Sequence, residues 1–246
     1  MKKRLLVLGL AFIMLAATAC GTSSDNGSKT SKADKTVTVT SNSDKTSETQ
    51  KNDDKKDDAK ESYKSADDIT MDDLKNHEET PADDFEYGEG PNDSIVIDGY
   101  TGEDPIVVIP NEIDGKKVVD FGKAFTNNKD IIAIKIGDNI EEVAEGALTN
   151  CDNLKYIVFG KNVKVINDGL LGGSKIEQIE FNDGLEKLGS NVSGVGLKSK
   201  IDVSIPESVT EMTFRGAKTL IVKSGSYAES YAKEYADKLG MAYKVE

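Results

Sequence analysis

A repeat of 23 residues restricts what this chain can fold into more than any other feature of its sequence. Residues 131–153 and 154–175 align so that large apolar side chains coincide in both segments. A period of this length is typical of solenoids, in which units stack because none can bury its own apolar face alone. The coinciding positions are Ile131, Ile134, Ile136, Ile140 and Val143, and, in the second segment, Leu154, Ile157, Phe159, Val163 and Ile166.

The same pattern extends over residues 106–222, with a less regular first unit and an incomplete fourth unit. Segments such as LKYIVF (154–159) and IEQIEF (176–181) have apolar side chains at alternating positions, which predicts short parallel strands. We therefore expect an α+β repeat solenoid with parallel strands and about five units. Residues 67–105 would form an irregular N-terminal cap, and residues 223–246 a helix and strand cap at the C-terminal end.

Several short motifs recur in register with these units. Ile-Pro follows a strand at Ile109-Pro110 and again at Ile205-Pro206, while Ala124-Phe125 and Asn150-Cys151 end two of the units. Over about residues 94–246 the chain therefore resembles the bacterial BspA-like leucine-rich repeats (type 5). The resemblance implies a regular sheet that is presented to partners, in adhesion or in binding of host or matrix proteins. It also implies that Cys151 faces the core.

Capping signals predict a helix on each side of the repeats. Thr70 can cap a short helix whose first turn is acidic, and Ser226–Glu229 has the pattern of a capping box. Gly240 suits the left-handed end of the second helix. The tyrosines of this helix allow two interpretations, a binding stripe or, as we favour, packing onto the last repeat; they are Tyr227, Tyr231 and Tyr235.

The first twenty residues have the organisation of an export signal. A basic MKKR is followed by the apolar stretch LLVLGLAFIMLAA, which is short for a membrane span. Ala17-Thr18-Ala19-Cys20 resembles the bacterial lipobox, in which the cysteine receives a diacylglycerol and becomes the first mature residue. We predict that Cys20 is lipidated; the alternative is an ordinary secretory signal in which Cys20 is incidental.

Residues 21–66 mix Ser, Thr, Lys and Asp and contain one aromatic residue, Tyr63. Such a segment buries too little apolar surface to offset its chain entropy, so we predict a disordered tether. The remaining residues, 67–246, hold 19 basic and 35 acidic residues, within a chain whose formal net charge is −13. A domain this acidic is repelled by phosphate backbones and by anionic lipid headgroups, which argues against nucleic acid as a partner.

The residue types that catalysis and metal binding require are scarce. His77 is the only histidine, and Cys20 and Cys151 are the only cysteines. A Ser-His-Asp triad needs a histidine beside its nucleophile, and a zinc site needs about four ligands, so neither is expected. We predict no enzyme, metal, cofactor or small-molecule substrate, and a carboxylate pair assembled across repeats stays open as the catalytic alternative.

A binding surface is the remaining expectation. In the predicted strands the outward positions form a ladder from Ile106 to Ile221, and several of them are apolar for residues that face solvent. One interpretation is a patch that binds a partner, since tyrosine is a favoured interface anchor. The other is that β-branched and aromatic side chains simply stabilise strands. The candidate partner-binding residues are Ile106, Val108, Lys135, Tyr156 and Val158.

Together these features predict an extracytoplasmic protein that is held to a bacterial membrane by its lipid anchor and exposed at the cell surface. Its repeats would bind another protein from the host, the matrix or the envelope. The alternative function is a structural or assembly component of the cell envelope that has no external ligand.

Overall fold

The computed structural model describes residue 65 and residues 67–190 and 201–246. The predicted signal, Cys20 and nearly all of the predicted tether lie outside the described residues, as do residues 191–200 in the second half of the fourth unit. Within the described part, helix α1 (Met71–Asn76) precedes the strands, and helix α2 (Tyr227–Tyr235) lies near the end. Two short 3₁₀ helices span Ala82–Asp84 and Asp237–Leu239.

The repeats form a stacked solenoid with two parallel four-stranded sheets. The first, which we call the front sheet, contains β3 (Ile106–Val108), β6 (Ala133–Lys135), β8 (Tyr156–Val158) and β10 (Gln178–Glu180). The second, the side sheet, contains β7 (Glu142–Val143), β9 (Val165–Ile166), β11 (Lys187–Leu188) and β13 (Glu211–Met212). The predicted solenoid of parallel strands is thereby confirmed.

A further sheet lies at each end of the stack. The N-terminal sheet contains β1 (Phe85–Gly90), β2 (Ser94–Tyr100), β4 (Glu112–Ile113) and β5 (Lys116–Asp120) in the order β1-β2-β5-β4. The C-terminal sheet contains β12 (Asp202–Ser204), β14 (Thr219–Val222) and β15 (Ala242–Val245), which are parallel. Side chains from both ends join the core of the repeats, so the caps cover the apolar ends of the stack.

The core consists of the side chains that each turn of the solenoid points inward. Ile134 and Ile157 sit at the centres of their strands and, like Leu220 in β14, are fully buried; the repeat residues on which the sequence alignment rests are buried too. Because a strand alternates its side chains between two faces, the same strands present their first and third residues outward. The candidate binding residues lie on that outward face.

Polar contacts fix the stacking distance between consecutive turns. The amide of Asn162 donates to the carbonyl oxygen of Asp138 (2.8 Å), and the amide of Asn182 donates to that of Lys161 (3.0 Å). Gly160 lies so close to the preceding turn that a Cβ atom there would collide with its backbone. The glycine is therefore required by close approach of two turns.

The C-terminal helix has the predicted cap in slightly altered form. Ser226 Oγ accepts a hydrogen bond from the Glu229 N–H (3.1 Å), but the Glu229 carboxylate accepts from Gly225 (2.7 Å) rather than from Ser226 itself. Gly240 adopts the predicted left-handed conformation, with φ at 70°. Neither helix in the described residues is long and apolar enough to cross a membrane.

The tyrosines of α2 divide between the two interpretations. Tyr231 packs onto the repeats, and its hydroxyl donates to the carbonyl oxygen of Phe214 (2.9 Å). Tyr227 and Tyr235 are exposed, because the buried stripe of α2 is made by Ala228 and Ala232. The expectation that Tyr227 and Tyr235 pack onto the last repeat was therefore wrong.

Candidate protein-binding face

The outward ladder has the register that the sequence predicts. Ile106 pairs with Ala133, Ala133 with Tyr156, and Tyr156 with Gln178, so these residues stand side by side across the front sheet. The same holds two residues further along each strand, where Val108, Lys135, Val158 and Glu180 stand side by side. In the C-terminal sheet, Asp202 and Ser204 are likewise paired with Thr219 and Ile221.

Two of the five predicted binding residues do not face solvent. Ile106 is 0% exposed and Val108 is 4% exposed, so the expectation that they form an open patch was wrong. The reason is helix α1, which lies on the outward face of the front sheet rather than over the end of the solenoid. Ile69, Met71 and Leu74 bury themselves there. On the sheet side this second apolar cluster comprises Ile106, Val108, Ile132 and Ala133, with Tyr156 and Val158 at its margin.

The segment that carries α1, residues 67–80, is called the strap from here on. At one end, the Thr80 N–H donates to the carbonyl oxygen of Val108 (2.9 Å), and the Val108 N–H donates to Thr80 Oγ1 (2.9 Å). Within it, Thr70 caps α1 as predicted, in a full capping box with Asp73. The hydrogen bonds to Val108 replace those that an additional strand would make, because β3 is an edge strand of the front sheet.

Charged contacts attach the strap along its length. The Lys155 ammonium lies 2.6 Å from Asp67, and the Lys75 ammonium lies 2.5 Å from Glu180. The pKa of Asp67 is lowered by its hydrogen bond with Lys155 and by the positive charge of that side chain. Asp67, Lys75 and Glu180 are exposed and only Lys155 is mostly buried, so these pairs position the strap more than they stabilise it.

The other three predicted residues lie at the margin of the strap. Lys135, Tyr156 and Val158 are half-buried. The Tyr156 hydroxyl donates to Glu177 (3.2 Å), and partial burial together with the nearby Glu177 carboxylate raises the pKa of Tyr156. Tyr156 and Val158 pack against the apolar cluster under α1, which accounts for their apolar or amphipathic character, and Lys135 is paired between Val108 and Val158.

Beyond β8 the outward face lies outside the apolar cluster under α1, although Lys75 of the strap contacts Glu180 there. Here it is made by β10 and by the neighbouring β12 and β14, which we call the open half; β3, β6 and β8 are the covered half. The outward side chains of the open half are exposed or half-buried, and they are Gln178, Glu180, Asp202, Ser204, Thr219 and Ile221. Polar residues replace apolar ones at the positions where no helix lies over the strands.

The sequence residues with potential reactivity take structural places. Cys151 is buried, as predicted, its Sγ donates to the carbonyl oxygen of Phe125 (3.1 Å), and burial raises its pKa to about 11. The thiol is therefore protonated at neutral pH and a poor nucleophile. His77 ends α1 and lies 3.7 Å from Asp104. Among the described residues no group of three or more His, Cys, Asp or Glu side chains is arranged to hold a metal ion.

The strap residues are the part of this face that sequence reasoning missed. Met71 and Leu74 are spaced by three, as on one side of a helix, but six residues are too few for a clear periodicity. The available signal was a gradient along the ladder, from Ile106 and Val108 in the first strand to Asp202 and Ser204 in the fifth. Such a gradient indicates that something covers one end of the face.

The repeat pattern is matched by a known family. Residues 121–215, which include β6 to β13, match the BspA type leucine-rich repeat region in six copies. This part of the chain is a BspA-type leucine-rich repeat region. Leucine-rich repeat proteins typically interact with other proteins. No curated protein matches the chain.

Solved leucine-rich repeat structures are similar to 58% of this chain. A T. pallidum leucine-rich repeat protein is 26% identical, with a TM-score of 0.47 over 71% of its chain. One from Bacteroides ovatus is 19% identical, with a TM-score of 0.47 over 49% of its chain. A leucine-rich cell surface protein of Faecalibacterium prausnitzii is 18% identical, with a TM-score of 0.34 over 44% of its chain.

Proposed function

We propose that the chain is a lipid-anchored protein of the bacterial cell surface whose leucine-rich repeats bind a protein partner through the open half of the outward face. The observation that carries the binding part is the row of exposed or half-buried outward side chains on β10, β12 and β14, which lie outside the apolar cluster under α1. The strap already occupies the covered half with apolar contacts, which leaves the open half as the accessible part of this face.

The electrostatics of the domain favour a basic partner. Residues 67–246 have sixteen more acidic than basic residues, and Glu180 and Asp202 add carboxylates to the ladder itself. Oppositely charged surfaces attract one another over about 10 Å at moderate salt, which raises the rate of encounter. A positively charged protein surface is therefore the chemistry that this face suits best.

The anchoring part is supported by the sequence of residues 1–66. The basic start, the short apolar stretch and Cys20 after small residues agree with a lipoprotein signal. A flexible segment of the length of residues 21–66 has an end-to-end distance of roughly 35–40 Å. That distance would carry the repeats clear of the lipid headgroups.

The anchor is tested by Cys20→Ala in the full chain. We expect the wild-type protein in the membrane fraction and the variant in the medium or a soluble fraction. A Ser23→Ala variant, changed beside the site but not in it, controls for effects on export. Retention of Cys20→Ala in membranes would contradict lipidation at this residue.

The binding function is tested by photo-cross-linking in intact cells that carry the full chain. The cross-linking residue replaces Ser204 on the open half or, as a control, exposed Thr213 away from the ladder. Cross-links from Ser204 alone to one identified host or matrix protein would support adhesion, whereas cross-links to the cell's own envelope proteins would favour the assembly role. Equal capture at both positions would contradict binding through the open half.

A further inference from the structure

The outward face is made by the front sheet and by the C-terminal sheet, and these two sheets do not join. On the side sheet, β11 pairs with β13 without interruption, whereas β10 and β12 are neighbours that belong to different sheets. Among the described residues, the stack is therefore continuous along the side sheet and interrupted between β10 and β12. A groove of about 800 Å³ lies at this opening, along the ends of β10 and β12.

Backbone groups of β10 are directed into the opening. The Gln178 N–H donates to the carbonyl oxygen of Lys155 (3.1 Å), and the Glu180 carbonyl accepts from the Phe159 N–H (3.0 Å), so both residues bond toward β8. In a parallel ladder, alternate residues bond to opposite neighbours. The N–H and C=O of Ile179 consequently point toward β12, with which β10 forms no ladder.

The floor of the groove is apolar and incompletely covered. Ile179 and Phe181 are half-buried, whereas Ile157 and Phe159, their counterparts one turn earlier, are buried. Phe181 stacks on Phe159, with ring centroids 5.4 Å apart and planes 25° apart. Half-buried Pro206 lines the opposite wall beside buried Ile205. An apolar floor with polar edges is typical of a site that accepts side chains from another protein.

The rim of the groove is acidic. Glu180, Asp183 and Glu207 line it and are exposed, and the single basic lining residue, Lys223, lies 4.0 Å from Glu246. The chain itself places one basic side chain on this rim, because Lys75 of the strap contacts Glu180. The groove therefore adjoins an ion pair within the chain, in which Lys75 contacts the acidic rim residue Glu180.

We propose that the groove binds an extended segment of the protein partner in which apolar side chains alternate with Lys or Arg. The apolar side chains would enter the floor at Ile179 and Phe181, and the cations would face Asp183 and Glu207. Alternation suits an extended strand because successive side chains point to opposite sides. The inference rests on the proposed protein-binding function and names the partner's chemistry.

The probe is a fluorescein-labelled peptide, Lys-Phe-Lys-Ile-Lys-Val, and its binding to the full chain in nonionic detergent is followed by fluorescence anisotropy. Asp183→Lys/Glu207→Lys reverses two rim charges, and Glu112→Lys/Glu145→Lys makes the same charge change at exposed positions away from the groove. We expect saturable binding to the wild type and to the second variant, and at least about tenfold weaker binding to the first. A Glu-Phe-Glu-Ile-Glu-Val peptide should not bind.

Three outcomes would overturn the groove site: absence of peptide binding by the wild type, equal weakening in both double variants, or equal binding of the acidic peptide. The cross-linking experiment separates this failure from failure of the proposed function. A protein cross-linked specifically from Ser204, combined with no effect of Asp183→Lys/Glu207→Lys on its capture, removes the groove site and keeps the binding function.

Discussion

The covered and open halves of the outward face share one backbone architecture and differ in their side chains. Both are built from short parallel strands whose central residues, such as Ile157 and Val203, are buried in the same core. On the outward side, the covered half has Ile106 where the open half has Gln178 or Asp202. The inward positions therefore determine the fold, and the outward positions determine what covers each half.

This difference gives the strap a defined place. A six-residue helix is too short to be stable by itself in water, so its structure depends on what it packs against. The covered half supplies that surface through its apolar outward residues, and Leu74 becomes fully buried on it. The open half offers no comparable surface, which leaves it accessible to another molecule.

The largest effect is expected from Ile106→Asp, because it places a carboxylate in the apolar cluster under α1. An unpaired buried charge costs at least about 3 kcal/mol, and we expect the free energy of unfolding, measured with urea, to fall by that amount. Gln178→Asp makes the same residue at the equivalent, exposed position of the open half and should change stability by no more than about 0.5 kcal/mol. Equal losses in the two variants would mean that the halves do not differ in coverage.

The register of the strands in the front sheet was predictable from sequence, because the repeat period and the alternation of apolar residues are local properties. Alignment of Ile134 with Ile157 places the strands side by side, and the observed pairing follows it residue by residue. The burial of Cys151 was instead implied by the resemblance to the BspA-like repeats, and the thiol is indeed buried. The strand register depends on the apolar core, which a single sequence records at each turn.

The position of the strap was not predictable by the same means. An apolar outward residue such as Val108 has the same appearance in sequence whether a partner or the chain's own helix covers it. The contact also joins residues far apart in the chain, as in Lys155 with Asp67, and no periodicity links them. The opening between β10 and β12 was missed for a related reason, since it depends on how two sheets diverge in space.

An intermediate effect is expected from Thr80→Val, which keeps the side-chain shape but removes the acceptor for the Val108 N–H. A buried donor without a partner costs about 1–3 kcal/mol, so the strap should open more often. Amide hydrogen exchange at Val108 should become faster, while exchange at Ile157 in the core should change much less. Thr210→Val, at an exposed position beside the side sheet, is the control and should leave both rates unchanged. Unchanged exchange at Val108 in Thr80→Val would show that the hydrogen bond does not hold the strap.

The smallest expected effect is on the pH dependence of strap attachment, to which Asp67 contributes on the covered half. The hydrogen bond to Lys155 and its charge lower the pKa of Asp67 below 3.8 in the folded chain. A lowered folded-state pKa stabilises the strap above that ordinary value, and the contribution is lost as the pH falls through the folded-state pKa. Asp67→Asn should therefore lose less protection of the Val108 amide than the wild type does when the pH is lowered from neutral to about 3. Asp68→Asn, one residue further along and without the Lys155 contact, should behave as the wild type does.

Because the Asp67–Lys155 pair is exposed on the Asp67 side, high salt should remove most of the difference between Asp67→Asn and the wild type. If Asp67→Asn and the wild type lose protection equally at low pH and low salt, the ion pair contributes nothing to holding the strap, and its attachment rests on Leu74, Met71 and Thr80.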